Sequence, residues 1–235
     1  MKSPEEQPVL LRVVVGSQAH GLARPDSDHD YREVFVIPTS EMLSLGRGRM
    51  RFAWQTDNKF TDDEGGYEIA EWLHLLSNGA PNAVEMCFAS HDPEWNAEPL
   101  RPDFNVFPTE VQQRGRLLLA RDRVQAGIIG YAMNSFRKIP EKPGKWKAGM
   151  LRVLYQGLTL IETGSTSLAV PTVGWGETVR QAAANEMTDG EALDVAHTLI
   201  AQIEAADSPL PPKITPDQWA AVNDWLLTLR REVWS

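Results

Sequence analysis

Two aspartates one residue apart, Asp28 and Asp30, follow a Gly16-Ser17 dipeptide at a spacing of eleven residues from serine to first aspartate. Side chains two apart on an extended chain point to the same side, so both carboxylates would face one spot. Two carboxylates side by side repel unless a cation lies between them, and hard oxygen donors suit Mg²⁺. Gly16 closes a run of β-branched residues and lets backbone approach an anion closely, while Ser17 adds a hydroxyl donor. Amides of a short helix over Ala19 to Ala23 would point the same way. The chemistry implied is a phosphate held at the turn, opposite a metal ion held by the acids.

The elements that must position these groups can be read on either side. Val9 to Val15 is apolar and β-branched, as a strand requires, and Arg32 to Ile37 reads as a second strand closed by Pro38-Thr39-Ser40. Gly46 to Trp54 looks like a turn entering a third strand, with Arg47, Arg49 and Arg51 either facing a triphosphate or simply solvated. An acidic cluster, Asp62-Asp63-Glu64, precedes Gly65-Gly66 and a helix over Tyr67 to Leu76 with Ile69, Trp72, Leu73 and Leu76 in helical spacing. Four prolines between His91 and Pro108 exclude a long helix and suggest a linker. Beyond it the pattern is helical: Thr109 to Arg123, Val124 to Arg137, Lys145 to Thr163 stopped by Gly164, Asp189 to Ala206, and Pro216 to Trp234. Lys145, Gly149 and Arg152 fall on one helical face.

Composition narrows the class. The 42% hydrophobic and 23% charged content is that of an ordinary globular chain. No apolar run approaches the ~20 residues of a membrane span, and the polar start is not a signal peptide, so no membrane role and a cytoplasmic location are expected. One cysteine, Cys87, among apolar neighbours excludes an internal disulfide and reads as core. The five histidines show no HExxH spacing, and His29 alternates away from Asp28 and Asp30, so zinc is not expected. A net charge of −9 argues against indiscriminate nucleic-acid coating. The charge is uneven, however: residues 1–100 carry −9, residues 101–152 carry +7 and residues 153–235 carry −7. Only the middle stretch, which includes Trp146, would welcome a polyanion.

The glycine-serine turn followed by an aspartate-x-aspartate strand resembles the polymerase-β-like nucleotidyltransferase superfamily. The wider string, with Ala19, Gly21-Leu22, Ser27-Asp28 and Asp30-Tyr31-Arg32, resembles its RNA-repair-pathway branch, and the similarity runs from about residue 12 to residue 165. It implies an α+β fold: an N-terminal nucleotidyltransferase-type mixed sheet flanked by helices (residues 1–104), then an all-helical C-terminal substrate-binding domain (residues 105–235). It aligns Asp63 as the third carboxylate beside Asp28 and Asp30, with Asp62, Glu64 and Glu68 as rivals, and implies two Mg²⁺ ions there. Gly16, Ser17, Arg32, Lys145 and Arg152 are the implied nucleotide-binding residues, with a nucleoside triphosphate such as ATP as substrate. The implied reaction moves a nucleotidyl group to a hydroxyl, first an RNA (tRNA-like) 3′ end. The alternatives are a protein hydroxyl, as in AMPylation by toxin and antitoxin systems, or a catalytically weak nucleotide-binding module.

Overall fold

A computed structural model of the chain describes residues 7–25, 27–45, 52–55, 63–95 and 104–234, the side chain of Asp63 excepted. The N-terminal part is a mixed four-stranded sheet: β1 (Val9–Val15), β2 (Asp30–Phe35), β3 (Ala53–Gln55) and β4 (Asp63–Glu68), in the order β1-β2-β4-β3. β1 runs antiparallel to β2, β2 parallel to β4, and β3 antiparallel to β4. The second strand thus begins at Asp30 rather than Arg32, and β4 runs straight through Gly65-Gly66. Those glycines are forced by close approach. A Cβ on Gly65 would lie 2.9 Å from Trp54 O, and one on Gly66 would lie 2.7 Å from Trp54 Nε1.

One-turn α1 (Gly16–Ala19) and short α2 (Thr39–Leu43) follow the first two strands; α3 (Ile69–Ser77) and α4 (Pro81–Met86) follow the fourth. Then come α5 (Pro108–Arg116), α6 (Arg121–Arg137), α7 (Pro143–Thr163), α8 (Trp175–Ala183), α9 (Asp189–Ala205) and α10 (Pro216–Glu232). The chain is therefore α+β, a mixed sheet with helices leading into a helical C-terminal region. The sequence pattern merges the end of α5 with the start of α6 and misses α8, a nine-residue helix in a loop-like, glycine-containing stretch. α9 and α10 begin at capping boxes on Thr188 and Thr215, which is why their starts are legible.

Leu11, Val13, Val15 and Val34 from one face of the sheet join Trp72, Leu76, Met86, Leu151, Leu154 and Leu199 in one continuous apolar cluster. The turn between α3 and α4 sits on α6 at backbone contact distance: Gly79 has φ 70°, and a Cβ on Gly127 would meet Gly79 O at 1.9 Å. The opposite face carries charge. Arg12 donates to Glu33 Oε1 at 2.6 Å, Glu64 Oε1 at 2.7 Å and Asp92 Oδ2 at 2.9 Å, with its guanidinium over the Tyr31 ring.

α10 returns to the sheet. Glu68, fully buried, caps α3 by accepting from Ala70 N and takes Arg230 Nη2 at 2.5 Å. Arg230 Nη1 also donates to Ile37 O, and Thr39 N and Ser40 N donate to Val233 O and Trp234 O.

Candidate active site

β1 delivers Val15 into Gly16, whose φ of 65° lies in the left-handed region that favours glycine. His20 N and Leu22 N close the turn by donating to Gly16 O and Ser17 O. A second requirement for glycine is steric. A Cβ there would lie 1.7 Å from Asp30 Oδ2 and 2.6 Å from Asp30 Cγ, so the Asp30 carboxylate rests directly against the turn. The antiparallel register, which pairs Val15 with Asp30, puts them in contact.

Asp28 precedes the strand, exposed, just after a turn in which Ser27 N donates to Arg24 O and Arg24 N donates to Ser27 Oγ. Asp63 opens β4 and pairs with Asp30 in the parallel register. Neighbouring strands lie about 4.8 Å apart, so Asp30 and Asp63 begin adjacent strands at the end of the sheet where the turn sits. Among the described side chains no three His, Cys, Asp or Glu groups form a metal-holding cluster; the side chain of Asp63 is not among them. The donor set is carboxylate only, and the Gly16 cradle brings Asp30 to an anion-compatible turn, which fits Mg²⁺. The rivals for third carboxylate are engaged elsewhere: Glu64 by Arg12, and Glu68 by Arg230. Asp62 and the arginines at 47, 49 and 51 lie outside the described residues.

Arg32 follows Asp30 on the same strand. Its Nη1 donates to Tyr31 O at 2.7 Å and lies 3.6 Å from where Gly65 would carry a Cβ, its register partner leaving it room. Behind the turn is a polar cluster whose members sequence spacing does not bring together. Arg152 Nη1 donates to Glu85 Oε1 at 2.6 Å and to Gln156 Oε1 at 2.8 Å. Gln156 Nε2 in turn donates to Leu168 O at 2.7 Å. The same carbonyl lies 2.9 Å from His20 Nδ1, which fixes the neutral ring as the Nδ1–H tautomer, and His20 O accepts from Val170 N. A chain of hydrogen bonds therefore ties the glycine-serine turn to α7 and α4.

Electrostatics in this cluster follow from burial and from two cations. Burial, with Arg152 adding to it, pushes the His20 pKa down to about 4. Burial also resists ionisation of Glu85, but Arg152, with Arg32 adding to it, outweighs that and holds its pKa below the usual carboxylate value. Burial raises Tyr131 on α6, beside the same pair. Arg152 is thus a buried, paired cation, whereas Lys145 is exposed in the first turn of α7; between them Gly149 has open space where a side chain would be. Lys147, which the spacing does not single out, is buried and held by Met187 O and Asp189. Glu85 could have been found from sequence: a carboxylate inside Ala83-Val84-Glu85-Met86 needs a buried partner.

The sequence profile of the RNA repair pathway DNA polymerase beta family matches residues 1–167. No curated protein matches the chain.

Proposed function

The chain belongs to the RNA repair pathway DNA polymerase beta family, and from that premise we propose that it is a Mg²⁺-dependent nucleotidyltransferase acting on an RNA 3′ end. Family membership gives the class, a polymerase-β-like nucleotidyltransferase of RNA repair. The observation that carries the finer reading is the seating of the Asp30 carboxylate against Gly16, which joins a turn suited to phosphate with a residue suited to metal.

In this reading Asp28, Asp30 and Asp63 hold the metal ions. Gly16 and Ser17 offer backbone amides and a hydroxyl to the β- and γ-phosphates. Arg32, beside them on β2, is the cation next to the phosphates, and Arg152 steadies the floor through Glu85. Lys145 reaches the nucleotide or its acceptor from the start of α7. When bound, Mg²⁺ lowers the pKa of an acceptor hydroxyl and neutralises the pyrophosphate leaving group. The protein's own part is to align that hydroxyl with the α-phosphorus and to keep the triphosphate extended along the turn. The proposed division is a catalytic unit over residues 1–104 and a substrate-binding unit over residues 105–235.

The test incubates the chain with α-labelled nucleoside triphosphates, Mg²⁺, and either RNA with a free 3′ hydroxyl or a protein mixture. Label on RNA, with pyrophosphate released and lost by orders of magnitude in Asp28→Asn and Asp30→Asn, is the expected result. Label on protein alone would move the acceptor to a protein hydroxyl. Binding of nucleotide without pyrophosphate release would leave a binding module.

A further inference from the structure

The connection between α6 and α7 concentrates more positive charge than its folding explains. Arg137 ends α6, Lys138 caps it, Lys142 precedes α7, and Lys145 lies in its first turn. Glu141 is the one acid among them. None of the four cations enters an ion pair among the described residues. Lys138 extends over the Trp146 ring, 4.7 Å from its centroid. On the adjoining α8–α9 connection Asp189 is already taken by Lys147, which leaves Glu186 as the other acid there. Arg137 and Lys138 complement the negative end of α6. Lys142 and Lys145 do the reverse, since cations at a helix N-terminus oppose its dipole. α9 and α10 show the usual arrangement, with acids in the first turn, and α7 has none. In a chain of net charge −9 these are four mutually repelling cations at one helical hairpin, a cost that binding an external polyanion would offset.

The patch also has a direction. Lys145, Gly149 and Arg152 lie on one face of α7, about 10 Å apart from first to last along the axis. The middle position opens onto unoccupied space, and the last is the arginine paired with Glu85 behind the glycine-serine turn. The hairpin therefore lies about two helical turns along α7 from the buried arginine that braces the candidate active site.

We propose that the α6–α7 hairpin tip, Arg137, Lys138 and Lys142, is the docking surface for the backbone of a single-stranded RNA, gripping phosphates a few nucleotides back from its 3′ end. The choice of RNA as the polyanion rests on the nucleotidyl-transfer reading above; the charge pattern itself does not. Phosphate contacts of this kind position a strand without reading its sequence.

The experiment uses the full chain and a fluorescein-labelled 20-nucleotide single-stranded RNA, with anisotropy titrations across monovalent salt. The variant is Arg137→Gln/Lys138→Gln/Lys142→Gln, which spares Lys145, and circular dichroism verifies its fold. Losing three phosphate contacts lowers the slope of log affinity against log salt by about 2 and weakens binding roughly a hundredfold at 0.1 M salt. Mg²⁺–ATP affinity, measured by calorimetry in the same variant, stays unchanged. An unchanged slope and RNA affinity in the variant overturn the proposal, as does a wild-type chain that does not bind the RNA at 0.1 M salt. Wild-type binding of RNA through the tip without any binding of Mg²⁺–ATP would support this surface while refuting the nucleotidyl-transfer reading. Nucleotide binding with RNA that ignores the tip would refute the surface alone.

Discussion

Replacing Glu85 tests whether the cluster behind the turn is a working brace. Its carboxylate and the Arg152 guanidinium are 18% and 10% exposed, so solvent screens little of their attraction. Glu85→Leu strands a buried cation that keeps one hydrogen bond, to Gln156 Oε1, and should cost about 3–5 kcal/mol. Glu85→Gln preserves an oxygen acceptor for Arg152 and loses only the charge, so about 1–2 kcal/mol is expected. Arg152→Met in the Glu85→Leu background removes the stranded cation and recovers part of the loss. The double-mutant cycle, read by urea denaturation, should then give a coupling energy of about 2–3 kcal/mol. The brace also predicts a functional readout: Mg²⁺–nucleotide affinity falls in Glu85→Gln even where the fold survives, because Gln156, Leu168 and His20 link the pair to the turn. A coupling energy below about 0.5 kcal/mol, the scale of an exposed pair, would refute the reasoning. Nucleotide affinity unaffected in a folded variant would sever the brace from the site.

Three further outcomes follow from geometry already described. Gly16→Ala combines about 1–2 kcal/mol of left-handed strain with a Cβ driven into Asp30, so Mg²⁺–nucleotide binding measured by calorimetry should collapse while the melting temperature drops only a few degrees. His20, held neutral in the folded state to about pH 4, is protonated first in the unfolded chain. Its contribution is complete above pH 6.5 and is lost as pH falls from 6.5 to about 4, by about 3 kcal/mol; Glu85 adds a loss of the same sign below its unfolded value. Denaturation curves at several pH values should show this slope, flattened in His20→Gln. Arg230→Met leaves Glu68 buried without its cation, and a loss of about 3 kcal/mol with earlier proteolysis near α10 is the expected result.

The parts of this molecule legible in its sequence are those with local causes. Val9 to Val15 announces a strand by its β-branched run, Gly164 ends α7, and the spacing of Gly16, Asp28 and Asp30 carries the family resemblance without help from tertiary structure. What the sequence hides depends on partners far along the chain. The strand character of Gly65-Gly66 is imposed by Trp54 crossing beside it, not by propensity. No sequence pattern pairs Arg152 with Glu85, sixty-seven residues away, whose carboxylate lies against it. His20 looks like a scattered histidine because its partner is a main-chain carbonyl at Leu168, which no side-chain pattern can reveal.

The seam between α10 and the sheet bears on how the chain is made. Glu68 and Arg230 are separated by 162 residues, and Ile37 lies 193 residues before its own contact with that arginine. At typical synthesis rates of about 5–20 residues per second, the ribosome needs on the order of ten to thirty seconds to extend from one to the other. Throughout that interval Glu68 lacks the cation that holds it in the finished interior. Closure of the first-made half is thus reserved for residues translated long after it.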